Sequence, residues 1–449
     1  MRTYIVYKVF NLEKKGTNIR TEVLAGITTF ITMAYILGVN PIILSAGGMP
    51  KTGIFFATAL ASGLGCIVMG LVSDYPIGIA PGMGLNAIFT YTIILSMGNS
   101  WNAALAAVFI SSVIFLLITV SGLRKLILNI TPNDLKLGIG AGLGFFLAFI
   151  GLKSCEIIVA DPSTYVAMGE LLFPPALLGL IGIFTTLVLY IKKVPSAVFI
   201  GLVITSILGL VFTVVGFGVG NPLMPTFPKE IFSVNVDTSM FMGFASGFNE
   251  LFSRHTNLIM MIFSLLIVQF FDATGTLIPL NRLCNFTNEN GEDVGIEKPF
   301  LGDAIGGVIG AICGTSTLTA YSESATGIEL GGRTGLTAVV TGLLFLISIF
   351  FAPLFLSLFT SPVTASALVI VGIIMIIPLK DIDWDNIVTI SSVFITILTM
   401  ILTYSISLGI AWGFITYTVG VIASGEKEKL NWGMIAIVIV FLIYIFFGI

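Results

Sequence analysis

Charge is scarce in this chain. Of 449 residues only 10% are Asp, Glu, Lys or Arg, against roughly a quarter in an average soluble domain. A soluble globular reading is therefore excluded. The net charge of −3 argues against a nucleic-acid partner. There is one histidine, His255, and there are four cysteines, Cys66, Cys155, Cys284 and Cys313, at no metal-ligand spacing. That leaves no disulfide framework and no metal site to read, and no cofactor is implied. The chain also lacks any P-loop, metalloprotease or nucleophile-elbow pattern, so ATP-driven transport and hydrolysis have no support and an enzyme is not expected. Before Arg20 there is neither the apolar core nor the cleavage site of a signal peptide, so the first span is expected to direct insertion.

Apolar residues, in contrast, make up 56% of the chain and the mean hydropathy is +1.08. Such a composition describes an all-α polytopic membrane protein. Apolar runs predict spans at 21–44, 52–72, 101–120, 136–152, 172–191 and 196–219, then at 257–280, 300–313, 336–359, 365–379, 387–404 and 408–423. A polar segment, 220–255, separates the two groups, and 431–449 is a last apolar piece that either crosses or lies in the membrane. The loop 281–298 is the most hydrophilic stretch.

Two stretches do not fit a plain span. From Asp74 to Met97, Pro76, Pro81, Gly82 and Gly84 cannot continue a helix; an extended piece followed by a half-helix from about Leu85 is expected. The stretch 314–335, GTSTLTAYSESATGIELGGRTG, carries Glu323, Glu329 and Arg333 among dense Thr and Ser. Polar, non-helical backbone at membrane depth is tolerated only where it lines a cavity.

With these two counted, fourteen segments fall seven on each side of 220–255, and the third and tenth are the broken ones. Offsetting by 244 residues places Ser62, Gly63, Cys66 and Gly70 on Gly306, Gly307, Gly310 and Gly314. An odd number of spans per half makes the repeats inverted, as in secondary transporters. With the N-terminus inside, sixteen of the twenty Lys and Arg fall on the inner side and only Lys51, Lys153, Lys229 and Arg254 outside, as the positive-inside rule requires.

Asp272 lies mid-span in QFFDATGT, where a charge costs roughly 2.5–3.5 kcal/mol on insertion scales and is a functional candidate by default. The competing reading is a protonated carboxyl capping nearby backbone. Glu323 sits near the start of a half-helix, where the dipole favours an anion; its competing role is capping alone. Asn86 holds the matching place in the first broken segment, as a ligand or a turn residue. Asp303 reads as structural, near the inner face. Glu329 and Arg333 are expected to pair, and Tyr321 to line the cavity beside Glu323. His255, outside the spans, is not expected to transfer protons.

The strings TEVLAGITTFITMAYILGVNP, APGMGLNAIF, FFDATGTL, GTSTLTAYSESATG and GGRTGLTAVVTGLLF resemble the hypoxanthine–guanine–adenine permease branch of the nucleobase–ascorbate (nucleobase:cation symporter 2) superfamily, over nearly the whole chain. The resemblance implies short antiparallel strands in broken spans three and ten. It also implies a core domain (1–125 and 256–360) and a gate domain (126–220 and 361–449), joined by an external connection at 221–255. A purine site would lie between the domains. Asp272 then matches the acidic residue of span eight and Glu323 the base-binding glutamate of span ten. Tyr321 and Ser322 match the two residues before that glutamate, and Asn86 falls near a span-three position that elsewhere holds an aromatic. A histidine found four residues after the span-eight acid in the uracil-type branch is Thr276 here, which puts uracil in doubt.

These residues imply import of a purine nucleobase by proton symport across the cell membrane, with Asp272 and Glu323 coupling the proton. One carboxylate can accept both N1–H and N2–H₂ of guanine in a charge-assisted pair. Two carboxyls in one low-dielectric cavity do not easily both ionise, so one is expected to hold a proton. A homodimer rests on the resemblance alone. The alternative is a same-fold carrier of another small substrate: uracil, xanthine, or an inorganic anion such as sulfate. The two carboxylates would repel an anion.

Overall fold

The structure, a computed structural model, describes residues 10–123, 131–253, 255–286 and 295–447. Among them, ten helices are long and apolar enough to cross a membrane. The first span is two helices, α1 (Ile19–Met33) and α2 (Ile36–Ser45). Asn18 starts α1 by accepting from the N–H of Thr21 at 3.0 Å, which satisfies one of the orphan donors of a first turn. A turn at Ala34–Tyr35 interrupts the span, and Pro41 lies within α2. Next, α3 (Lys51–Val68) runs through a wide turn, Met69–Ser73, to Asp74 in the left-handed region.

The first broken stretch is β1 (Ile79–Pro81) and a half-helix, α4 (Met83–Ala87), continued by a wider coil at Ile88–Ser96. The second is β4 (Leu318–Ala320) followed by α12 (Ser324–Glu329). The two strands pair antiparallel, with Ile79 opposite Ala320 and Pro81 opposite Leu318. Extended pieces at membrane depth thus satisfy each other's backbone, since lipid offers no hydrogen bonds.

Between these stretches come α5 (Trp101–Ser121), α6 (Asn133–Ser154), α7 (Pro174–Ile191), α8 (Ala197–Val214), α9 (Phe244–Ser253), α10 (His255–Leu283) and α11 (Glu297–Cys313). After them come α13 (Gly335–Ser348), α14 (Ala352–Leu358), α15 (Ser361–Ile376), α16 (Ile387–Thr403), α17 (Ile406–Ser424) and α18 (Trp432–Phe447). Packing joins α13 to α1 and α3, α5 to α11, and α6 to α15 and α16. Where α3 crosses α13, a Cβ on Gly70 or on Gly335 would overlap the other's carbonyl oxygen. The backbones touch there, as small residues allow between membrane helices.

Two elements depart from the reading of the sequence. Residues 220–255 are not wholly a polar connection, because α9 forms within them. Phe244 stacks on Phe109 at 4.3 Å, and Glu250 accepts from the backbone N–H of Ser100 at 3.1 Å and from its hydroxyl. Periodicity there was masked by the Pro-rich run before it. Between α6 and α7 a hairpin of β2 (Ile158–Asp161) and β3 (Tyr165–Met168) forms where only a loop is expected. Of the 431–449 piece, Trp432–Phe447 is helical as α18, resting through Phe441 on Phe414 and Phe263.

Outside the spans, Asp237 accepts from Thr52 Oγ1 at 2.6 Å and from the N–H of Ser239 at 3.0 Å. Hydrogen bonds from Ser239 and Thr52 hold its carboxyl below the ordinary range. Residues 287–294 of the hydrophilic 281–298 loop lie outside the described residues, as do Arg124, Lys125, Arg254 and the side chain of His255.

Candidate functional site

Gly314, with φ +90°, ends α11 and turns the chain into β4. Only a residue without Cβ takes that angle freely. The strand delivers Tyr321, Ser322 and Glu323 to the head of α12, where Glu323 occupies the N-cap. Its carboxylate is held from two sides. Tyr35 donates its hydroxyl to Oε1 at 2.6 Å, and Ser322 donates to Oε2 at 3.2 Å. Thr326 bonds back to the Glu323 carbonyl at 2.8 Å and meets Thr32 of α1 at 3.3 Å. A fixed, half-buried carboxylate at the head of a half-helix is an acceptor for a planar donor pair.

This carboxylate forms part of the wall of a cavity of about 760 Å³. One side is α1 and α12, through Thr28, Thr32, Glu323, Thr326 and Glu329; the other is the α7–α8 turn, through Tyr190, Lys193 and Ser196. The volume is in the range of small-molecule sites.

Asp272, half-buried on α10, is not among the residues lining this cavity and sits by Gly82 instead. Its Oδ2 would lie 3.3 Å from a Cβ on Gly82, beside the Thr319 methyl, so a side chain at 82 would crowd it. Tyr321 lies within electrostatic reach of both Asp272 and Glu323. Thr276, one turn after Asp272, is half-buried, and Gly275 between them faces open space.

Not every expected residue joins this group in the same way. Tyr321 is buried, with its hydroxyl given to the Pro81 carbonyl at 2.6 Å and its N–H to the Gly78 carbonyl at 3.0 Å; it ties β4 to β1 and does not line the cavity. Asn86 is fully buried and accepts from the Ser316 hydroxyl, at the other end of β4 from Glu323. Asp303 accepts from the N–H of Ala320 at 2.8 Å, a structural use that reaches the strand itself. Arg333 gives its guanidinium to the carbonyls of Ile328 and Gly332, closing the end of α12. The expected bond to Glu329 is not among them.

Two residues were missed by the sequence. Tyr35 carries no local signal beyond an aromatic in an apolar run. Glu22 is fully buried and accepts from the backbone N–H groups of Arg333 (2.8 Å), Thr334 and Thr337 (3.3 Å each), and from the Thr337 hydroxyl at 2.6 Å. Asp74 adds a bond from the N–H of Gly335 at 2.8 Å and an ion pair with Lys15 at 2.8 Å. Two carboxylates thus cap the N-terminus of α13 and lock the far end of the second broken stretch. An acid inside the apolar run 21–41 was the available signal for Glu22.

The model of the Permease family (Xan_ur_permease) matches residues 20–412. Guanine/hypoxanthine permease PbuG of Bacillus subtilis is 41% identical over 458 residues, covering 98% of this chain and 99% of the relative. Adenine permease AdeQ of Escherichia coli is 36% identical, covering 97% and 94%. Among solved structures, the transmembrane domain of the cyanobacterial bicarbonate transporter BicA superposes with a TM-score of 0.60 at 16% identity, covering 90% of this chain and 97% of that one. SLC26A9 gives 0.60 at 13% identity, over 90% of this chain and 66% of that one. At such identities the likeness concerns the fold alone.

Proposed function

This chain belongs to the Permease family of nucleobase–ascorbate transporters, a family of permeases rather than enzymes, and from that premise we propose that it imports purine nucleobases by proton symport. Guanine and hypoxanthine are the first candidates, with adenine next; these are the bases in the names of relatives 41% and 36% identical to it. The observation that carries the reading is the Glu323 carboxylate, held by Tyr35 at 2.6 Å and Ser322 at 3.2 Å on the wall of the cavity. Guanine would give N1–H and N2–H₂ to that carboxylate, and hypoxanthine N1–H alone. Tyr321, Ser322, Thr276 and Asn86 complete the proposed binding set. Asp272 carries the coupled proton, since Glu323 has a half-helix dipole and two donors to keep it charged while Asp272 sits within a continuous helix.

In this reading the fourteen segments form two inverted seven-span repeats. A core (1–125 and 256–360) moves against a gate (126–220 and 361–449) in alternating access, with 221–255 outside. The protein sits in the cell membrane with its N-terminus in the cytoplasm, and pairs as a homodimer. The cavity between α12 and the α7–α8 turn would then be an inward-facing vestibule, because Lys193 and Arg333 fall on the inner side by charge.

Uptake of radiolabelled guanine, hypoxanthine, adenine, uracil and sulfate in a transport-deficient host tests the reading. Accumulation of guanine and hypoxanthine, lost with a proton uncoupler, is expected. Sulfate uptake without purine uptake would overturn it.

A further inference from the structure

Behind the strands, away from the vestibule, three segments converge on Gly307 of α11. A Cβ there would lie 2.8 Å from the amide nitrogen of Gln269 on α10, 3.1 Å from the hydroxyl of Ser112 on α5, and 3.1 Å from the methyl of Thr317 at the entry to β4. All three side chains are fully buried. Yet both amide atoms of Gln269 and the hydroxyls of Ser112 and Thr317 make no hydrogen bond to protein. Leaving such a group unsatisfied destabilises the fold, and lipid offers no relief. Of these atoms, Gln269 Nε2 and Ser112 Oγ lie nearest the glycine, and Thr317 turns its methyl to it; unpaired polar groups on three neighbouring buried side chains are not the pattern of a dry core, where polar groups pair or are absent.

We propose that this gap is a hydration site, in which ordered water bridges Gln269, Ser112 and Thr317. Polar groups that lie close to one point without bonding directly are what a water joins, and buried water with two to four polar partners is a normal part of a fold. The site adjoins the one described above. Gln269 precedes Asp272 by three residues, so both lie on one face of α10. Thr317 precedes Thr319 by two, so both lie on one face of the strand, and Thr319 shares Gly82 with Asp272. The water file therefore solvates Asp272 from behind when a base fills the cavity in front, and Gln269 is a positioning residue for that carboxyl. This second step rests on the proton role proposed for Asp272; the hydration does not.

The test uses the near-isosteric variants Gln269→Met, Thr317→Val and Ser112→Ala in the purified full-length protein. If the gap is hydrated, each variant loses water bridges and Tm falls, and density maps of the parent show water within about 3 Å of the Gln269 amide. If the gap is dry, each variant removes an uncompensated polar group and Tm rises, which overturns the proposal. A rise in parent Tm specific to sodium would also overturn it, by showing a cation in the gap. In proteoliposomes, Gln269→Met is expected to keep base-for-base exchange while uphill accumulation drops several-fold. Unchanged accumulation beside a lowered Tm would remove the positioning role and leave the hydration site standing. Loss of all purine transport by the parent would instead count against the proposed function, with the Tm result unaffected.

Discussion

The hydroxyl of Tyr35 donates to Oε1 of Glu323 at 2.6 Å, across 288 residues of sequence. The bond is made from the turn at Ala34–Tyr35 that interrupts the first span. Hydrogen bonds to charged groups contribute about 1.5–3 kcal/mol. Tyr35→Phe removes that donor and frees the carboxylate to rotate. Purine affinity is expected to fall about tenfold to a hundredfold, read by calorimetry on purified protein. Glu323→Gln should be more severe, because the amide puts a donor against the base's own N–H groups. Unchanged guanine affinity in Glu323→Gln would remove Glu323 from the site.

Asp272→Asn copies the protonated carboxyl permanently. Base-for-base exchange is expected to survive in proteoliposomes, while accumulation against a gradient and sensitivity to a proton uncoupler disappear. A variant that still concentrates purine, and still collapses with uncoupler, would move the proton to another group, with Glu323 first in line.

Glu22→Gln tests the anchor of α13. The carboxylate accepts three backbone N–H groups and one hydroxyl, and an amide can serve only part of that set. One or more buried donors lose their partner, at about 1–3 kcal/mol each. Tm is expected to drop by several degrees, with purine affinity of the folded fraction changed far less than in Tyr35→Phe. An unchanged Tm would show that Asp74 alone suffices to hold the helix.

Orientation is open to labelling. Single cysteines at positions 235 and 290, the second outside the described residues, are placed on a Cys-less background. An impermeant maleimide should reach position 235 in intact cells and position 290 only after permeabilisation. Labelling of position 290 from outside would reverse the topology.

Asp237 ties the segment before α9 to the start of α3 by accepting from Thr52. Its carboxyl is held below the ordinary range, so this contribution is fully present above about pH 4, the usual range of a free Asp. It is lost as pH falls through the lowered value. Proteolysis of 226–243 is expected to quicken only in that acidic window, and Asp237→Asn should show the fast rate at neutral pH. Equal rates at both pH values in the parent would discard the tie.

Membrane class, the long apolar helices and the two breaks were legible in the sequence, because each is a local property of the chain. Long apolar runs must cross lipid, and Pro76, Pro81 and the glycines of 314–335 cannot continue a helix. Asp272 and Glu323 stood out for the same reason, as acids where an acid is costly. What the tertiary structure decided was every pairing between distant segments. Strand β1 meets β4 only because two extended pieces, unable to bond to lipid, must bond to each other. Glu22 went unread in the sequence; its role exists only once the N-terminus of α13 is brought against it. Asn86 and Glu323 each follow an extended piece, yet Asn86 lies inside α4, fully buried against Ser316, while Glu323 stands at the N-cap of α12 on the cavity wall; packing, not place along the chain, sets which of them meets the cavity. The partner of a buried polar group is set by packing in three dimensions, and no spacing along the chain encodes it.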